Sequence, residues 1–475
     1  MRGFFALLGT ALLIAVVLYG SQPDAPSAVV ELSSGGLGDL THGVGCEIKN
    51  FEQLRKSAIV YTWVNGTERC YNARRERAGL SPGGSSRDKE MGELKYSLRS
   101  LMKFAPWLEG PIYIVTPGQI PDWLDLSNPR IRVVDQDDIL PKDKVALPNF
   151  DTNVIEQYLH KIPGLTDTFI HMNDDYLFIK PVSPERFFTC DGGLRFLTEI
   201  NHIRHVKGTK SNAWLASVRN TIELTDKFYG GEHVYNFLKH APFVYSRLAF
   251  EKIHEKFREH LDATLSHQVR HYEDLNMPLL HHVYMNEEGS KVLNIPIQFN
   301  PLHECDDWLL VRVTDSDYQG LEKQFQAALA GRGPEIMLAL NDEYSKPATA
   351  ELVNRFYEAL LPDPEFYELP AGQHLSVVSN YHGPNCAYDP NVIPLPSESY
   401  TSLRQRLQDR VPRSQSASPY EVYFRSVDVA QGSSTGFIAN VGYAFGLLVA
   451  MVASVSIFRR ASGDAFGPHA TTKTR

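Results

Sequence analysis

"FIHMNDDYLFIKP", residues Phe169 to Pro181, decides how the chain is read. Apolar residues flank two adjacent carboxylates, Asp174 and Asp175, and the flanks read as one buried β-strand. A buried charge is costly unless it is paired or bound to a cation. Acids at a strand end suit a divalent ion that also holds a diphosphate, because Mg2+ prefers one or two protein carboxylates plus phosphate oxygens. From the triplet Asn173-Asp174-Asp175 alone, a turn capped by its two acids is an equal reading.

The surroundings repeat one texture. "AIVYTWV" (58–64) reads as a strand and runs into the loop "NGTE". "GELKYSLRSLMKFAPWL" (92–108) has Leu94, Leu98 and Leu101 at helical spacing. "PIYIVT" (111–116) and "IRVVDQDD" (131–138) are short apolar runs that end in polar residues. "NVIEQYLHKIPGL" (153–165) reads as another helix, with Ile155, Leu159 and Ile162 on one side. Strands alternating with helices predict a layered α/β fold with a largely parallel sheet. Ligands in such sheets sit at the carboxyl ends of the strands. Asn65 and Gly66, Asp137 and Asp138, and Asn173 to Asp175 all fall there. Further on, a long helix is expected from Leu248 to Leu265, and others around Leu321–Leu329 and Ala348–Leu361.

The chain has 475 residues, 43% hydrophobic and 22% charged, which is ordinary globular composition. Its formal net charge of −9 and the lack of a basic track argue against nucleic acid as a partner. Two segments look membrane-like. Gly3 to Gly20 carries no charge and reads as an N-terminal anchor, with a cleaved signal peptide as the rival. Gly436 to Arg460 is apolar up to the pair Arg459–Arg460, which should stay cytosolic. The expected layout is an anchor over 1–20, a stalk over 21–56 and a catalytic body over 57–369. An extended packing segment and stalk over 370–435, a membrane helix over 436–458 and a cytosolic tail over 459–475 complete it. Both termini would face the cytosol. The five cysteines all fall between the two spans, and their odd number leaves at least one outside any internal pair.

Other residues carry chemistry singly. His240 stands before the long helix, where a histidine can handle a proton near neutral pH. Arg270, in "HQVRHYEDL", offers a planar fork that matches phosphate oxygens. Arg219 and Asn220 stand in "WLASVRN", and "ALNDEY" repeats an apolar run ending in Asn341 and Asp342. A surface or core position is the bland reading of each, and seventeen histidines make coincidence easy.

The ordered set of segments is more specific than any one of them. It comprises "VYTWVNG" (60–66), "RDKEMGELKYSLRSLMKFAPWL" (87–108), "IYIVTPGQIPDWLDLSNPRI" (112–131) and "LPNFDTNVIEQYLHKIPGL" (147–165). "NDDYLF" (173–178), "KHAPFVYSR" (239–247), "VRHYEDL" (269–275) and "ALNDEY" (339–344) complete it. This set resembles the Stealth family of sugar-1-phosphate transferases over roughly residues 57–362. The family holds bacterial capsule polymerases and the animal lysosomal-enzyme N-acetylglucosamine-1-phosphotransferase alpha/beta type. The resemblance implies a Rossmann-like, glycosyltransferase-A-like core with added helices, flanked here by two transmembrane helices. It implies transfer of a hexose 1-phosphate from a nucleotide sugar to a glycan hydroxyl, with UDP-GlcNAc the first donor and GDP-mannose the second. By position it makes His240 and Arg270 catalytic, and puts Mg2+ or Mn2+ on Asp174 and Asp175. Trp63, Asn65, Gly66, Arg219, Asn220, Asn341 and Asp342 fall near the donor. His240 would take the acceptor's proton or attack phosphorus itself. A Golgi-type membrane enzyme with a lumenal body follows, and a homodimer is compatible with it.

The chain also departs from the family. Many members have Asp where Asn65 stands, and only about forty residues separate Phe188 from Tyr229, where the animal enzyme carries large inserted modules. A lysosomal-hydrolase acceptor is therefore in doubt. The alternatives are an ordinary metal-dependent Golgi glycosyltransferase, which would break the sugar C–O bond, and a non-catalytic lectin-like membrane protein.

Overall fold

The computed structural model describes residues 46–84, 88–203, 212–300 and 307–393. Its centre is a parallel sheet of β1 (Ala58–Thr62), β2 (Ile112–Thr116), β3 (Ile131–Asp135) and β4 (Thr168–Asn173). β1 and β2 are buried along almost their whole length, as strands covered on both faces must be. Asp174 and Asp175 then turn the chain into β5 (Tyr176–Phe178). The stretch read as one strand is thus two, and the acids sit at the break. Short strands β6 (Leu194–Phe196), β7 (Thr198–His202) and β8 (Asn236–Leu238) follow. β9 (Phe243–Ser246) returns antiparallel beside β4, so the central order is β3-β2-β1-β4-β9. β10 (Ile297–Phe299) pairs with β6. β11 (Trp308–Thr314) and β12 (Met337–Glu343) run parallel, and β12 takes β5 on its other side, antiparallel. The strand order reverses at β1, where β2 lies on one side and β4 on the other. That is the switch point at which open α/β sheets form their crevice.

Helices cover the sheets. α1 (Arg69–Arg77) follows β1, and α2 (Glu93–Phe104) buries Leu94, Leu98 and Leu101, as its spacing predicts. α3 (Thr152–Gln157) is capped by Asp151, whose carboxylate accepts from the Asn153 amide. α4 (Ala213–Tyr229) leads into the segment of His240. The expected long helix is two, α5 (Arg247–Lys256) and α6 (Arg258–Thr264). They break at Phe257, which leaves helical geometry and is fully buried, its ring 4.8 Å from that of Phe228. α7 begins only at Met277 (Met277–Tyr284), where Asn276 caps the first turn and Pro278 suits it. Arg270 lies on the turn before α7. α8 (Tyr318–Leu329) and α9 (Pro347–Leu360) stand close to where periodicity put them.

Two disulfides, Cys46–Cys190 and Cys70–Cys386, tie both ends of the described chain to the body. Residues 46–56, read as stalk, contribute buried Ile48, Phe51 and Leu54. Cys305 lies outside the described residues.

The fold expectation is corrected at its flanks. It called for two transmembrane helices, but among the described residues no helix is long and apolar enough to cross a membrane. Both stretches on which that reading rested, 1–20 and 436–458, lie outside the described residues.

Candidate active site

The carboxyl ends of all four parallel strands open into one cavity of about 270 Å3. Thr62, Trp63 and Val64 come from the end of β1, Val115 and Pro117 from that of β2, Gln136 from that of β3, and Asn173 to Asp175 from that of β4. Lys89, Glu156, His240, Arg270 and Asn341 close the remaining sides.

Asp175 and His240 form its most defined contact. Asp175 Oδ2 lies 3.1 Å from His240 Nε2, and the Tyr176 hydroxyl lies 3.2 Å from His240 Nδ1. With a carboxylate at Nε2, the tautomer that satisfies both contacts carries its proton there and keeps its lone pair on Nδ1, where Tyr176 donates. The Tyr176 ring meets the imidazole edge-on, 4.8 Å between centroids. Burial lifts the Tyr176 phenol well above its ordinary value, and the charge of Asp175 adds to this, so the hydroxyl stays protonated. The other oxygen of Asp175, Oδ1, is buried without a hydrogen-bond partner. Such an atom is unfavourable unless something positive meets it. Asp174 lines the same cavity, so the two acids present hard oxygen donors of the kind that hold Mg2+ or Mn2+.

Arg270 reaches the cavity from the turn between α6 and α7, where its Nε donates to Thr152 Oγ1 at 2.8 Å. Buried Asp274 shapes that turn: its Oδ2 accepts from the His271 amide at 2.6 Å and from Asn153 Nδ2 at 3.0 Å. Glu156, on α3, lines the cavity together with the two expected catalytic residues. Burial raises its carboxyl to about 7, and the positive charge of Arg270 and then His240 opposes the shift. Glu156 was not singled out in the sequence. On helical periodicity it looks like an ordinary polar position beside Ile155, and only the fold turns it inward. Thr152, on the same helix, was missed for the same reason, and Lys89 lies in a loop that no periodicity marks.

The expected donor residues divide. Trp63 and Asn341 line the cavity, and Asp342 follows Asn341 on β12. Trp63 is fixed by its indole N–H, which donates to Glu90 Oε2 at 2.5 Å. Asn65, Gly66, Arg219 and Asn220 do not line it. Asn65 is locked by the Gln119 side chain, which bonds its amide at 2.8 Å and its carbonyl at 2.9 Å. Gly66 matters through space: a Cβ there would lie 2.4 Å from the Asp88 carbonyl oxygen. Asn220 Nδ2 donates to the carbonyls of Tyr272 (2.8 Å) and Asp274 (3.0 Å), so it acts on the turn that carries Arg270. Arg219 pairs loosely along its helix with Glu223 at 3.5 Å.

A family model described as Stealth protein CR2, conserved region 2, matches residues 87–196, and one described as Stealth protein CR3, conserved region 3, matches 239–287. The first holds Glu156 and the acid pair, the second His240 and Arg270. A capsular polysaccharide phosphotransferase of Haemophilus influenzae is 34% identical over 264 residues, covering 52% of this chain and 71% of that protein. An exopolysaccharide phosphotransferase of Streptomyces coelicolor is 35% identical over 243 residues, 49% of this chain and 26% of that protein. The chain thus spans about a quarter of the second relative's length. Among solved structures, the galactosyltransferase LgtC in complex with donor and acceptor sugar analogues overlays at a TM-score of 0.31 and 11% identity, over 64% of this chain and 95% of that one, too slight a likeness to weigh. From the two conserved regions, and a relative matched over most of its length, this chain belongs to the Stealth family and is a transferase of the phosphotransferase type.

Proposed function

We propose that the enzyme transfers a hexose 1-phosphate from a nucleotide sugar to a glycan hydroxyl and releases a nucleoside monophosphate. UDP-GlcNAc is the first donor to test and GDP-mannose the second. The observation that carries this reading is the meeting of the acid pair, Glu156, His240 and Arg270 in one cavity at the switch point. Asp174 and Asp175 would hold Mg2+ or Mn2+. When bound, such an ion neutralises the diphosphate charge. Arg270 presents its fork to the oxygens of the sugar-proximal phosphate. The acceptor O–H bond breaks, its oxygen bonds to that phosphorus, and the bond from phosphorus to the nucleotide phosphate breaks. The proton goes to His240, which lines the cavity beside Asp175, while the buried Tyr176 hydroxyl holds the ring in place. Ionised Glu156 stabilises the imidazolium that results. Contacts at both ring nitrogens favour this proton role for His240 over attack on phosphorus. The two disulfides support a setting in an oxidising compartment, here the lumen of the secretory pathway.

The test uses UDP-GlcNAc labelled in both the sugar and the β-phosphate. Transfer of both labels with release of UMP is expected. Transfer of the sugar label alone with release of UDP would mean an ordinary glycosyltransferase. His240→Ala should lower turnover by roughly 10²-fold or more.

A further inference from the structure

A second group of ligand-type side chains stands beside Arg270, outside the cavity. His267, His271 and Glu273 each offer a ligand atom, and these atoms all lie within 4.8 Å of one another. The two imidazole rings face each other with centroids 4.0 Å apart and planes 31° from parallel. His267 Nδ1 lies 2.7 Å from Asp274 Oδ1, and that carboxylate is fully buried. A carboxylate behind an imidazole fixes its tautomer and turns the opposite nitrogen, here Nε2, outward as a lone-pair donor. His271 and Glu273 are more open, with side chains 44% and 80% exposed, and Glu273 Oε2 is 3.9 Å from His271 Nδ1.

We propose that His267, His271 and Glu273 bind a divalent ion of the zinc type, oriented by Asp274. Two imidazoles and one carboxylate are a borderline-soft donor set that favours Zn2+ or Co2+, unlike the all-oxygen pair Asp174–Asp175. Three protein ligands with an open fourth position are a common zinc arrangement. Tetrahedral ligands at about 2.0–2.1 Å from zinc stand about 3.4 Å apart, so the atoms must close by up to about 1.4 Å. The exposed side chain of Glu273 can supply much of that by rotation. The ion would bridge the turn from His267 to Glu273 on both sides of Arg270, and so fix the residue that faces the phosphate.

The test uses the full chain, stripped with chelator and returned to excess Mg2+. Zn2+ is titrated against a chromophoric chelator, and Co2+ is followed by its visible absorption. The wild type should bind one Zn2+ per chain and give a tetrahedral Co2+ spectrum. His267→Ala and His271→Ala should each weaken binding by at least about 10-fold, on the scale of lost support around a metal ligand. Glu273→Gln should weaken it too, and as an exposed change it keeps the test decisive if His267→Ala fails to fold. Asp175→Asn should leave the Zn2+ affinity unchanged. Amide exchange over 268–274 should slow when Zn2+ is added. Equal affinity in His271→Ala and Glu273→Gln, or loss of the Zn2+ site in Asp175→Asn, would overturn the assignment. Unchanged exchange over 268–274 would overturn the bridging of Arg270.

Discussion

Replacing Asp175 by Asn separates the two tasks proposed for this side chain. Oδ2 meets His240 Nε2 at 3.1 Å, and Oδ1 is buried and unpartnered. A hydrogen bond to a charged group contributes about 1.5–3 kcal/mol. At 1.36 kcal/mol per decade, its loss alone lowers turnover by about 10- to 150-fold. The Asn amide oxygen can still accept from Nε2, which moderates this part. The amide nitrogen that replaces Oδ1 or Oδ2 cannot hold a cation, so the apparent affinity for Mg2+ or Mn2+ should fall as well. Together these predict a turnover loss on the order of 10²- to 10³-fold at saturating donor. The half-saturating metal concentration should rise. The volumes match, so the melting temperature should stay close to that of the wild type. Release of nucleoside monophosphate across a metal titration reads the first two quantities, and thermal unfolding reads the third. Turnover within threefold of wild type, with the same metal dependence, would falsify both roles.

Four other outcomes are expected. Glu156 carries a carboxyl raised from 4.5 to about 7, so it ionises as pH rises through neutrality. Turnover should climb over that range, and Glu156→Gln should be slow and lack the limb. Because its folded value is raised, the stability this group contributes is present at low pH and lost as pH rises from about 4.5 through 7. Thermal melts of Glu156→Gln should show less of that loss. Arg270→Lys should lose about 10- to 100-fold in turnover, since a point charge cannot replace the bidentate fork. Gly66→Ala drives a methyl against the Asp88 backbone and should cost about 1–3 kcal/mol by denaturant unfolding. Changing Cys70 and Cys386 to Ala together opens a loop closed over a separation of 316 residues and should cost about 3–5 kcal/mol by the same measurement.

Much of the central sheet could be read because its strands are short apolar runs with polar ends, as in 58–64 and 111–116. The strand order came from pairing partners, which single-chain periodicity does not encode. Runs of one hydrophobic texture hid their breaks. Phe169 to Ile179 reads as one strand, yet β4 and β5 join different sheets. Leu248 to Leu265 reads as one helix, yet Phe257 turns into the core midway. The acid pair, His240 and Arg270 were legible through their residue types and through family resemblance. Glu156 was not, because its significance depends on which face of a two-turn helix meets the cavity. Asn65, Gly66 and Asn220 mark a similar limit. Each holds a loop in place beside the site, and the sequence does not distinguish such a residue from one that touches a ligand.

The two disulfides join Cys46 to Cys190 and Cys70 to Cys386, so their covalent rings overlap. A single backbone cut anywhere between Cys46 and Cys386 opens at least one ring but severs nothing. Both pieces remain one molecule of unchanged mass, apart from the added water, until a reductant is present. A protease-nicked form would therefore run as intact protein on a non-reducing gel. The folded body would also meet its own fragment again after every local opening, at the high effective concentration of a tethered partner. Overlapping rings of this kind give the catalytic body a tolerance to nicking that neither disulfide could provide alone.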